Sequence, residues 1–171
     1  MTARPRVGIS RCLLGDEVRY DGGHRREPLL AEAVADEVQW VPVCPEVEVG
    51  MGVPREPIQL VRSGGVVRML GVGRGEDWTE RMQRWSRQRL AELEALELAG
   101  FVLKARSPSC GPRDVPVHTA GQAAASGRGM FADALLGRFH DLPVADEEQL
   151  RDAGERARFL ERVRDYQRRF R

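Results

Sequence analysis

Phe101-Val102-Leu103-Lys104-Ala105-Arg106-Ser107-Pro108-Ser109-Cys110-Gly111-Pro112 decides how the rest of the chain is read. Three consecutive apolar residues are what a strand buried on both faces presents. The Ser-, Pro- and Gly-rich run that follows continues neither a strand nor a helix. A buried strand therefore ends near Leu103 and opens into a loop that carries a cysteine. The same pattern occurs twice upstream. Val7-Gly8-Ile9 leads into a Gly-rich polar loop, Cys12-Leu13-Leu14-Gly15 through Tyr20-Asp21-Gly22-Gly23-His24, and Gln39-Trp40-Val41-Pro42-Val43 leads directly into Cys44.

The intervening segments carry helical signals. Pro28 to Glu37 reads as a helix with Pro28 in its first turn and Leu29, Leu30, Ala33 and Val34 on one face. A long helix capped by Asp77 or Thr79 runs to about Ala99, with Gly100 as its stop signal. A short helix at Met130–Leu136 precedes a fourth strand, Leu142-Pro143-Val144, and the end of the chain is helical from Asp146 or Glu147 to Phe170. Gln59–Arg62 and Val66–Leu70 flank Ser63-Gly64-Gly65 as a small hairpin, while residues 113–129 read as irregular. Alternating strands and helices predict an α/β fold. The expected form is a Rossmann-like three-layer sandwich, with a mostly parallel central sheet of about four strands and helices on both faces. One domain over residues 1–171 is expected, its core at about 6–145 and an Arg-rich C-terminal helix at about 146–170.

Composition excludes several classes. Hydrophobic residues at 42% and charged residues at 31% rule out a wholly disordered or fibrous chain. With Lys+Arg 27 against Asp+Glu 26, no whole-domain charge favours nucleic acid. Lys104 is the only lysine, so the Arg bias is not read as phosphate binding. The last 21 residues hold eight Arg against four acids, which is read first as a solvated helix face. No apolar run is long enough to span a membrane or serve as a signal peptide, so the expected location is the cytoplasm.

Cys12, Cys44 and Cys110 have no CxxC spacing and are odd in number, which argues against a disulfide framework. Each follows a predicted parallel strand, and the C-terminal ends of such strands share the edge where ligand crevices form. Three thiols with 31 and 65 residues between them are therefore expected to meet. Zinc with His24 as a further ligand is one occupant; His118 and His140 are less well placed. A 4Fe-4S cluster held by three cysteines, leaving one iron open to substrate, is the other.

Ser10-Arg11-Cys12-Leu13-Leu14-Gly15, Tyr20-Asp21-Gly22, Val43-Cys44-Pro45-Glu46, Pro54-Arg55-Glu56-Pro57, Asp77-Trp78-Thr79 and Lys104 through Gly111 occur in one order. Together they resemble a bacterial family catalogued as a domain of unknown function whose characterised members are thiouracil desulfidases of the TudS type. The likeness runs from about Arg6 to Val144. It departs after Gly111, where Val115 to Gly121 replaces the family's usual run. The resemblance implies a 4Fe-4S cluster on Cys12, Cys44 and Cys110. It also implies non-redox replacement of the sulfur of a thiolated uracil by oxygen, with release of hydrogen sulfide. The substrate is expected to be a small thiolated pyrimidine, either a thiouracil or a nucleotide such as 4-thio-UMP; thiolated tRNA, met by the Arg-rich helix, is a minor variant.

Within that reading Glu46 is the expected general base, and Ser107 is expected to hydrogen-bond that base or the attacking water. Asp21 is either a further acid or base toward the substrate or a turn residue before Gly22-Gly23. Ser109 borders the substrate or caps its loop. Arg55, Lys104 and Arg106 hold a nucleotide phosphate or pair with Glu46 or Asp77. Gly71-Val72-Gly73-Arg74-Gly75 is not a phosphate loop, since it follows the hairpin, and reads as a mobile turn. A metal-cluster sensor without turnover and a dehydratase-type 4Fe-4S enzyme are the competing functions.

Overall fold

The structure is a computed structural model and describes residues 3–170. Strands β1 (Arg6–Ser10), β2 (Gln39–Val43), β5 (Gly100–Leu103) and β8 (Val144–Asp146) form an all-parallel sheet in the order β2-β1-β5-β8. The register runs Val7 opposite Trp40 and Gly100, and Phe101 opposite Val144. From β1 the chain moves to one side of the sheet and from β5 to the other. The point where the order reverses thus lies between the ends of β1 and β5, the place where α/β sheets open a crevice.

Alternation along these strands builds two packing layers. Val7, Ile9 and Val102 face a layer made by the C-terminal helix α4 (Ala153–Gln167) through Phe159, Leu160 and Val163, together with Leu30, Val34 and Val38. Phe101 and Leu103 face the opposite layer, made by α2 (Thr79–Ala95) through Leu90 and Leu93 and α3 (Met130–Arg138) through Phe131 and Leu135. The Phe101 and Phe131 rings meet edge to face at 5.8 Å. Gly8 leaves room for this packing: a Cβ there would stand 2.3 Å from the Phe101 ring. The expected α/β sandwich with helices on both faces is the observed architecture.

A second four-stranded sheet, β4-β3-β6-β7, lies outside the expectation. β3 (Ile58–Ser63) and β4 (Val66–Gly71) are the expected hairpin, turned by Gly64 and Gly65, both in the left-handed region. β6 (Val115–His118) joins β3 in parallel, and β7 (Ala125–Gly127) joins β6 antiparallel, so residues 113–129 are not irregular throughout. Val115 and Val117 point inward and Pro116 and His118 outward, a period of two packed with Leu60 and Met69 against Met82 of α2.

Several expected boundaries shift. α2 ends at Ala95, because Glu97 takes a left-handed conformation and turns the chain before Gly100, which begins β5. Pro28–Glu37 forms only one wide helical turn over Leu29–Ala33. Pro45–Glu48 is a one-turn helix, α1, started by Pro45. The fourth strand lies later than expected, because Leu142 and Pro143 precede it. Asp146 closes that strand, and the terminal helix starts only at Ala153, where Asp152 accepts the Glu155 N–H at 2.8 Å.

Candidate active site

The three cysteine loops converge. Cys12 sits in a tight turn over Arg11–Leu14 directly after β1, Cys44 is the cap residue of α1 directly after β2, and Cys110 ends the loop that leaves β5. All three are unpaired and buried, and all three line one cavity of about 270 Å³ at the C-terminal edge of the parallel sheet. Glu56, Pro57 and Ile58, at the entrance to β3, supply part of its wall, so the second sheet helps to close the site.

Each loop is pinned by its backbone. The Cys12 carbonyl accepts the N–H of Gly15 at 3.3 Å and of Arg25 at 2.9 Å. The Cys44 N–H donates to Glu48 Oε2 at 2.8 Å. The Ser107 hydroxyl accepts the N–H groups of Ser109 at 3.2 Å and Cys110 at 3.1 Å, and Gly111 N–H donates to the Ser107 carbonyl at 2.8 Å. Behind this loop Gly129 permits a close approach: a Cβ there would stand 2.5 Å from the Ser109 carbonyl carbon. Burial pushes the Cys12 thiol up to about 11, with Arg19 acting in the opposite sense. Burial raises Cys44, and raises Cys110 well above the ordinary value, against a hydrogen bond from the Ser10 hydroxyl. Metal binding would displace these protons.

The donor set distinguishes the two expected occupants. His24 does not line the cavity, and its Nδ1 accepts the Arg26 N–H at 3.1 Å, so it brings no fourth ligand to a zinc ion there. Among the described residues no three His, Cys, Asp or Glu side chains close around a single ion. Three soft sulfur donors around a roomier cavity fit an iron–sulfur cluster, whose irons are separate atoms each taking its own thiolate.

Glu46, in the first turn of α1, lines the same cavity. Its Oε2 forms an ion pair with Arg55, and its Oε1 accepts the Ser109 hydroxyl at 3.0 Å. Arg55 is fixed in turn, donating at 2.8 Å each to the carbonyls of Gly52 and Val18. The two serines thus divide the work otherwise than expected: Ser107 caps the loop through its oxygen, and Ser109 touches the carboxylate. The Ser107 hydroxyl proton is not used by the two bonds it accepts, and the residue also lines the cavity.

Lys104 and Arg106 border the cavity, but acids from the turn after β8 hold them. Lys104 Nζ donates to the buried Glu147 at 2.6 Å, and Glu147 also accepts the Ala105 N–H at 2.7 Å. Arg106 makes a two-pronged pair with Glu148. Glu147 was not singled out from the sequence, and only the strand ending at Asp146 reveals its place. Neither Lys104 nor Arg106 pairs with Glu46 or Asp77; the Asp77 carboxylate instead accepts Thr79 N–H at 2.9 Å and Arg68 at 3.0 Å. Asp21 is exposed, stands outside the cavity lining, and accepts the Gly23 N–H at 2.9 Å as a turn residue does. The N–H groups of Gly73 and Arg74 in the Gly71–Gly75 turn are occupied by Glu56 at 2.8 and 2.7 Å.

Three comparisons bear on this geometry. A family model described as 2-thiouracil desulfurase matches residues 7–147. A Bacillus subtilis (strain 168) protein, the uncharacterized protein YbbK, is 32% identical over 149 residues, 84% of this chain and 97% of its own. A solved structure described as a 4Fe-4S-dependent thiouracil desulfidase, TudS, superposes with a TM-score of 0.67 at 31% identity. It covers 86% of this chain and 93% of its own.

Proposed function

We propose that this chain, which belongs to the 2-thiouracil desulfurase family, converts the C=S of a thiolated uracil or thiouridine nucleotide to C=O. Water supplies the oxygen, and the sulfur leaves as hydrogen sulfide without net redox change. Cys12, Cys44 and Cys110 are the proposed ligands of a 4Fe-4S cluster, and the observation that carries the reading is their shared cavity with Glu46. When bound, such a cluster supplies a soft Lewis acid at the iron that no cysteine holds, suited to a thiocarbonyl sulfur.

The chain's own groups do the rest. Glu46 takes the proton of the attacking water at Oε1, while Arg55 keeps Oε2 occupied and the carboxylate in place. The Ser109 hydroxyl on the same oxygen orients it. The Ser107 proton is free to donate to a ring carbonyl or to the water. Val18, Pro45 and Pro57 bring apolar surface to the cavity wall and limit access of bulk water. Reduced, buried thiols suit the cytoplasm.

Among the described residues no helix is long and apolar enough to cross a membrane. On the C-terminal helix and its flanks Arg151, Arg158, Arg164, Arg168 and Arg169 each pair with a carboxylate, which supports a small-molecule substrate over thiolated tRNA. The test is anaerobic: reconstitute with iron and sulfide, then follow the near-ultraviolet absorbance of 4-thiouracil and 4-thiouridine monophosphate together with sulfide release. Loss of absorbance with matching sulfide supports the reading. A fully loaded protein that releases no sulfide from either compound refutes it.

A further inference from the structure

We propose that Arg19 and Arg25 form an anion subsite on the cavity wall that takes the phosphate of a mononucleotide substrate, an inference that rests on the desulfuration reading above. Six cations line the cavity: Arg11, Arg19, Arg25, Arg55, Lys104 and Arg106. Four are held by carboxylates. Arg11 pairs with Asp16 at 3.0 Å, Arg55 with Glu46, Lys104 with Glu147 at 2.6 Å, and Arg106 with Glu148. Among the described residues Arg19 and Arg25 have no carboxylate partner. The phosphate role expected of Lys104 and Arg106 therefore passes to the opposite loop.

Arg19 donates no side-chain hydrogen bond to a described residue, and its Nε is buried with no acceptor. A buried guanidinium N–H left unmet is costly, and an anionic oxygen beside it removes that cost. Arg25 donates one side-chain bond, to the His24 carbonyl at 3.0 Å, and keeps the rest of its fork. The backbone fixes the loop that carries both: Arg19 N–H donates to the Gly23 carbonyl at 3.1 Å, and Arg25 N–H to the Cys12 carbonyl at 2.9 Å. Two guanidinium groups that no carboxylate pairs with directly, the exposed Asp21 acting on both only through space, match a phosphate, whose oxygens accept their paired N–H donors. Tyr20 lies between them in sequence, lines the same wall and is 39% exposed, offering an apolar plane to the sugar.

Calorimetric titration of the reconstituted protein with uridine 5′-monophosphate, uridine and a thiolated tRNA tests the subsite without turnover. The monophosphate should bind about tenfold or more tightly than uridine, and Arg19→Gln or Arg25→Gln should remove most of that gap while uridine still binds. In turnover, either substitution should lower the preference for 4-thiouridine monophosphate over 4-thiouracil by a similar factor, through KM. Three results overturn the proposal: equal affinity for monophosphate and uridine, an unchanged gap in both variants, or a thiolated tRNA binding more tightly than the mononucleotide. A protein that keeps the monophosphate gap but releases no sulfide from any thiobase retains the subsite and loses the desulfuration reading, so the two fail separately.

Discussion

Replacing Lys104 with methionine tests whether the only lysine serves the fold or the substrate. Its ammonium is 2.6 Å from Glu147 Oε1, and the two side chains are 15% and 2% exposed. Methionine fills similar volume but leaves the Glu147 carboxylate buried, with the Ala105 N–H at 2.7 Å as its remaining donor. Stranding one partner of a buried pair costs about 3–5 kcal/mol. With a urea m-value of about 2 kcal/mol/M, that lowers the unfolding midpoint by about 1.5–2.5 M. The double variant Lys104→Met/Glu147→Gln keeps an acceptor for Ala105 without the stranded charge, so it should regain at least half of the loss. Urea unfolding of the three proteins under identical anaerobic conditions reads this directly. A single variant within roughly 0.5 kcal/mol of the parent refutes the structural assignment. So does a double variant that is stable but has lost the preference for nucleotide over base, because Lys104 would then be reading the substrate.

Other consequences follow from the same geometry. Glu46→Gln keeps a partner for Ser109 but removes the base, so sulfide release should fall about 10²–10⁴-fold with iron per chain unchanged; undiminished release would remove Glu46 from the chemistry. Gly129→Ala places a methyl group 2.5 Å from the Ser109 carbonyl carbon and 2.8 Å from the Cys110 nitrogen, both backbone atoms. The Cys110 loop must move, and iron retained after gel filtration should drop; parental iron content would show that the loop yields freely. The Thr79 hydroxyl, the Thr79 N–H and Arg68 hold the Asp77 carboxyl below its ordinary value of 3.8. Its stabilising contribution is complete at neutral pH and is lost as pH falls through the lowered value. Asp77→Asn should therefore show a shallower loss of urea midpoint below the ordinary carboxylate range, and parallel slopes would refute the assignment.

The parallel sheet was legible because strands buried on both faces are written as apolar runs, as in Val7-Gly8-Ile9 and Phe101-Val102-Leu103. The convergence of the cysteine loops followed from that alone, since parallel strands put their ends on one edge. β6 and β7 were not legible: Pro116 interrupts one, and Ala125-Ser126-Gly127 has no large apolar residue, so pairing across the sheet defines it. Leu30, Val34 and Val38 are buried at a helical spacing of four, yet the chain completes only one wide turn beneath them. Partner choice among charges was the least legible part. Arg55 with Glu46 is a pair the sequence offered, whereas Lys104 with Glu147 and Arg106 with Glu148 are made by tertiary approach, each more than 40 residues apart in sequence. The exchange of roles between Ser107 and Ser109 has the same origin, because which hydroxyl meets Glu46 depends on a turn conformation that either serine's identity permits.

The three-cysteine cluster is tested by an iron count on the anaerobically reconstituted parent and on Cys12→Ala, Cys44→Ala and Cys110→Ala, each confirmed folded by circular dichroism. The parent should hold about four irons per chain, the number in a single cluster, and every variant should lose most of that iron. Full iron in any one variant would contradict the three-cysteine ligation, and a parent that takes up zinc in preference to iron would contradict the cluster itself.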